Sequence, residues 1–197
     1  IYQFGDLPPF ELQLLHASDL EGNVNAVGDD RTTTDPDLGD APRFSGVVSA
    51  LRADYPTSTL VVSSGDNVIP GPLFNAAGDG SLSVPGYDPS PGRADIFFMN
   101  EIGFDASALG NHEFDQGPDR LASLIGTDGD YPGTTFPYLS ANLDISSDAS
   151  LSGFAVPGQQ APQPNSIAPS VVANVNGELI GLIGLTTDNL ASVSSPG

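Results

Sequence analysis

Cysteine is absent from the 197-residue chain, which removes disulfides, thiolate metal sites and cysteine nucleophiles together. Lysine is absent as well: five arginines face 25 acidic residues, for a formal net charge of -20. A field of that sign repels nucleic-acid duplexes and anionic membrane surfaces, which excludes both as surface partners. It also means that an anionic substrate needs a local positive centre, for which bound cations are the ready source. No apolar run approaches the ~20 residues of a membrane-spanning helix, so no membrane insertion is expected. Ile1 to Gly5 carry neither a basic flank nor an apolar block, so any signal peptide has been removed or was never present. A lysine-free, Asp-rich surface suits an extracellular, cell-surface or periplasmic setting, although simple solvation would use the same charges. No internal repeat is visible.

What is present fits one domain with a core of its own. Residues 12 to 18 form an apolar run that empties into Asp19, as a buried strand leading to a functional loop would. His16, inside that run, reads as a satisfied core residue, because a neutral imidazole needs only one or two hydrogen bonds to be buried. From Gly22 to Asp40 the chain is polar and Asp-rich, most densely from Gly28. It reads as a surface loop whose carboxylates are candidate Ca²⁺ ligands, without EF-hand spacing. Pro42 to Tyr55 is helical by pattern, since Phe44, Val47, Val48 and Leu51 fall at i, i+3, i+4 and i+7, with Asp40 as a cap.

Thr59 to Ser64 is a second strand, running into Gly65-Asp66. The strand-helix-strand order predicts a parallel pair joined by a right-handed crossover. Residues 70 to 92 read as a long irregular excursion. A helix over Arg93 to Ile102 stops at Gly103, and a third strand, Phe104 to Leu109, empties into Gly110-Asn-His-Glu-Phe-Asp-Gln-Gly117. A helix from Pro118 to Ile125 and a fourth strand from Phe136 to Ala141 follow. Residues 144 to 168 are loop-like, Asn176-Gly177 marks a hairpin, and Thr186 to Gly197 show no clear element.

Three successive strands therefore end in Asp19 with Glu21, in Asp66, and in Asn111 with His112. Ligands of open α/β sheets gather outside the carboxyl ends of the strands, so four oxygen donors and an imidazole meet at one crevice. Turn and cap roles would explain any one of these segments alone; three of them after three strands are not explained that way.

The set Asp19-x-Glu21, Gly65-Asp-Asn67 and Gly110-Asn-His-Glu-Phe-Asp115, with Leu15-His-Ala-Ser-Asp-Leu-Glu-Gly22 and Leu182-Ile-Gly-Leu-Thr-Thr187 around it, resembles the calcineurin-like metallophosphoesterases, most closely their 5'-nucleotidase branch. The resemblance implies an α/β fold with a mixed, largely parallel sheet and flanking helices, layered α/β/β/α and incomplete at its C-terminus. Residues 1–197 would be the N-terminal portion of a single catalytic domain. It also implies a two-metal site in which Asp19 binds one divalent ion, Asp66 bridges both and Asn111 binds the second. His112 would stabilise the transition-state oxygens or protonate the leaving group, with Asp115 orienting its ring. The implied substrate is a phosphate-ester small molecule, nucleotides included, and the implied ions are Mn, Mg, Ca, Zn or Fe.

Two departures from the family pattern stand out. Glu21 occupies a position where the family has histidine, and as a carboxylate ligand it would favour oxygen-seeking Mn²⁺, Mg²⁺ or Ca²⁺ over Zn²⁺. The family also draws further histidine ligands from later in its domain, whereas this chain has only His16 and His112. The remainder of a catalytic domain, or a partner chain, is thus expected to complete the site. The competing reading is a secreted or surface structural protein on a degenerate phosphoesterase scaffold, with Ca²⁺ binding in adhesion as a further variant.

Overall fold

The computed structural model describes residues 10–22 and 41–196. The Asp-rich candidate Ca²⁺ loop from Gly28 to Asp40, the Asp40 cap and the N-terminal residues lie outside the described residues.

Strands β1 (Gln13–Ala17), β2 (Thr59–Ser63), β3 (Ala106–Ala108), β4 (Tyr138–Leu139) and β5 (Ile167–Ala168) form one sheet in the order β1-β2-β3-β4-β5. Every neighbouring pair in it is parallel. Helices α1 (Ala41–Asp54), α2 (Pro72–Ala76), α3 (Arg93–Ile102) and α4 (Gly117–Ile125) occupy the crossovers. Strands β6 (Ser170–Val175) and β7 (Glu178–Ile183) form a separate antiparallel hairpin, and α5 (Leu190–Val193) follows it.

Residues alternate between the two faces of a strand, and β2 shows where each face leads. Val61 joins the principal core with Val48 of α1, Met99 and Ile102 of α3, and Leu121 and Ile125 of α4. Leu60, its neighbour, packs instead against Ala173 and Val175 of the hairpin. The molecule is therefore layered, with helices on one face of a parallel sheet and a second, two-stranded sheet on the other, as the family resemblance implied. The hairpin turns at Asn176 and Gly177, whose φ values of 52° and 93° are those of the two-residue turn that matches strand twist.

Several local expectations shift. His16 is exposed rather than buried in the core: β1 is the edge strand, and Leu14 and His16 stay open on the hairpin-side face. On α1 only Val48 is fully buried, while Val47 and Leu51 are 58% and 39% exposed. The supposed irregular excursion contains α2, whose first helical residue is Pro72. Two residues of the supposed loop, Ile167 and Ala168, form β5, and Leu190 anchors a short helix in the last segment. Elements of two to five residues are too short to show a period.

In the first turn of α3, Asp95 is 5% exposed and its Oδ2 has no hydrogen-bond partner. Burial pushes its pKa up to about 7. Because the folded state holds this proton more tightly than the unfolded chain, stability falls as pH rises through the window from about 4 to about 7. Asp95→Asn, which cannot ionise, is expected to raise Tm at pH 8 by roughly 5 °C and to change it little at pH 4. Thermal unfolding at the two pH values checks this; equal shifts at both would remove burial of the charge as the cause.

Candidate active site

The backbones of β1 and β2 stay paired beyond the strands. Ser64 N–H donates to Ala17 O, Asp19 N–H to Gly65 O, and Glu21 N–H to Asp66 O, each at 3.2 Å. Along this extension Asp19, Glu21 and Asp66 adopt φ of 52°, 45° and 53°, the left-handed region that non-glycine residues enter only when their surroundings hold them there. Gly65 turns with φ of 103°, and a Cβ on it would collide with the backbone of Gly110. A Cβ on Gly110 would in turn meet the Asp66 carboxylate. The Asp66 and Asn111 loops thus touch backbone to backbone, which only glycine allows at these two positions.

Glu113 holds the two loops together, and sequence reasoning gave it no role. It is 2% exposed. Its Oε2 accepts the N–H of Asp66 at 3.0 Å and of Gly110 at 2.7 Å, and its Oε1 accepts the N–H of Asn67 at 2.8 Å and Asn67 Nδ2 at 3.2 Å. Asn67, fully buried, also donates to Ser107 Oγ and accepts from Ser63 Oγ. Burial pushes the Glu113 pKa up to about 7 against the lowering effect of the backbone N–H groups. Nothing in the spacing of the motif distinguishes this carboxylate from an exposed one.

His112 begins the 3₁₀ turn His112–Phe114. Its backbone N–H donates to Asp66 Oδ1 at 2.9 Å, and its Nδ1 donates to Asp115 Oδ2 at 2.7 Å. That bond leaves Nε2 without a hydrogen bond among the described residues, 4.0 Å from Glu21 Oε1. The Asp115 hydrogen bond raises the His112 pKa; partial burial opposes it, and the charges of Asp115, Asp66 and Glu21 add to the rise. Asp115 accepts a second hydrogen bond through Oδ1, from Ser194 Oγ at 2.8 Å.

The structure thus brings Asp66, Glu21, His112 and Asp115 together, with Asn111 and Asp19 on the adjoining turns. Among the described residues, no three His, Asp or Glu side chains converge as a ready cation site. The donor chemistry nevertheless fits hard divalent cations: Asp19, Glu21, Asp66 and the Asn111 amide offer oxygens only. Asp66 Oδ2 accepts no hydrogen bond among the described residues. A cleft of about 300 Å³ lies between the parallel sheet and β7, lined by His16, Ser64, Ala106, Leu139 and Ile183 among others and by none of the candidate ligands.

No family model matches the chain. It is 31% identical over 192 residues to the snake venom 5'-nucleotidase of Gloydius brevicauda, an alignment spanning 95% of this chain and 27% of that protein. It is 30% identical over 173 residues to the trifunctional nucleotide phosphoesterase of Bacillus subtilis, covering 81% of this chain and 11% of the other. The solved 5'-nucleotidase precursor of Thermus thermophilus superposes with a TM-score of 0.66 at 30% identity, over 94% of this chain and 30% of that one.

The chain is homologous to the 5'-nucleotidases.

It spans less than a third of the length of these 5'-nucleotidase relatives. Among the described residues no helix is long and apolar enough to cross a membrane.

Proposed function

We propose that the chain carries part of the site of a divalent-metal-dependent phosphoesterase that hydrolyses nucleotides, and that it works outside the cytoplasm. The observation that supports this most is the His112–Asp115 pair, set one backbone hydrogen bond from Asp66 at the carboxyl ends of the strands. Asp19, Glu21, Asp66 and Asn111 would hold the cations. When bound, two divalent ions neutralise phosphoryl charge and supply a hydroxide nucleophile at neutral pH.

The rest of the chemistry falls to this chain's own groups. Asp115 fixes the ring of His112 with Nδ1 protonated, so that Nε2 faces the reacting group. The Asp115 hydrogen bond favours the imidazolium, which suits Nε2 to give a proton to a departing ribose oxygen. The strongly negative surface makes cation loading a precondition for approach of a nucleotide. The names of the relatives point to nucleotides as the substrate class, and the venom relative supports an extracellular setting.

Release of inorganic phosphate from nucleoside monophosphates, measured with the remainder of the catalytic domain or the partner that completes the site present, tests this reading. Turnover is expected with Mn²⁺ or Mg²⁺, abolished by chelation and by Asp66→Ala. Metal-independent turnover, or none with any divalent ion, would refute it.

A further inference from the structure

We infer that Ser194 is a positioning residue for the His112–Asp115 pair, contributed by a strap that runs from β7 back under the catalytic loop. The inference deepens the phosphoesterase reading and rests on it for its catalytic meaning.

The strap is tied down at three points spaced four residues apart. Thr186, buried, donates through Oγ1 to the carbonyl of Leu109, the residue before Gly110. The backbone of Thr186 is clasped by Asn142, whose Nδ2 donates to Thr186 O and whose Oδ1 accepts Thr186 N–H. Leu190 inserts into the principal core, the cluster to which Leu109 and Phe114 also belong. Ser194, where α5 ends, donates its hydroxyl to Asp115 Oδ1.

The last contact matters because of what Asp115 must do. A carboxylate with one oxygen on an imidazole can still rotate about its Cβ–Cγ bond and swing away from the ring. A donor on its second oxygen removes that freedom. Asp115 accepts side-chain hydrogen bonds from His112 and Ser194 only, among the described residues, so Ser194 decides the plane of the carboxylate. The two residues are 79 positions apart, which is why no local motif shows the link. Ser192, on the same short helix, is exposed and makes no side-chain hydrogen bond to the loop among the described residues.

The chain has two histidines, so ¹⁵N-histidine labelling yields two ring systems, assigned with His16→Gln. Ser194→Ala is expected to move the His112 Nδ1–H resonance, Ser194→Thr to restore it, and Ser192→Ala to leave it unmoved. In phosphate release, Ser194→Ala should lower kcat about three- to tenfold with KM nearly unchanged, the worth of one hydrogen bond. A His112 resonance that is unchanged in Ser194→Ala, or that shifts equally in Ser192→Ala, overturns the inference. Because the spectra need no turnover, a wild-type protein without activity would refute the functional reading while the resonances still decide the role of Ser194.

Discussion

Glu113→Ala is expected to cost about 4–5 kcal/mol of stability, the largest loss of any single substitution at the strand ends. The side chain is buried, away from the surface a ligand could reach. Its value lies in the four N–H donors it satisfies, three from the backbone and one from Asn67. An unsatisfied buried donor costs about 1–3 kcal/mol, and water entering the cavity would recover part of the sum. For a domain with ~5–15 kcal/mol in total, that loss leaves little folded protein at growth temperature.

Glu113→Gln separates geometry from charge. Each carboxylate oxygen accepts two N–H groups, so whichever way the amide is turned its NH₂ faces two donors. We expect Gln to recover less than half of the loss. Urea unfolding followed by circular dichroism measures both variants, and an alanine variant within about 1 kcal/mol of wild type would show that the loops hold their shape without the carboxylate.

The same residue marks how far the chain could be read in advance. Strands running into Asp66 and Asn111 were visible as apolar runs stopped by Gly and Asp, because a parallel strand covered on both faces carries that pattern, and β1 was visible by its apolar run although one of its faces is open. The helix ending at Gly103 was visible for a similar reason: its C-cap glycine has φ of 77°, and glycine enters that region freely. His16 was misplaced because an apolar run does not reveal that its strand lies at the edge of the sheet. β5 was missed because its two residues pair with β4 only once the whole sheet exists. Glu113 and Ser194 escaped for a deeper reason. Their roles are tertiary: one gathers donors from as far as 47 residues away, the other reaches across 79.

The left-handed triad of Asp19, Glu21 and Asp66 belongs with these tertiary effects. None of the three is glycine, and each would relax toward a more populated conformation in isolation. The 3.2 Å backbone bonds from Asp19 to Gly65 and from Glu21 to Asp66, together with the Glu113 clamp on Asp66 N–H, supply the constraint. Fold stability is thus spent at the strand ends on holding these three residues in a sparsely populated conformation, which supports the proposed site over a purely structural scaffold.

His112→Ala should leave the fold nearly intact, since the ring is 28% exposed and the backbone N–H that holds Asp66 survives the substitution. Its effect should fall on turnover and depend on the leaving group. A nucleoside departs as a poor, strongly basic alkoxide, so loss of the proton donor is expected to lower kcat by about 10²–10⁴-fold with nucleoside monophosphates. A nitrophenyl phosphate releases a stable phenolate that hardly needs the proton, and there the loss should shrink to roughly tenfold or less. Steady-state kinetics on the two esters, under matched metal conditions, measure the difference. Equal losses on both would reassign His112 from proton donor to stabiliser of the phosphoryl oxygens, because charge developing on those oxygens must be met whatever group departs.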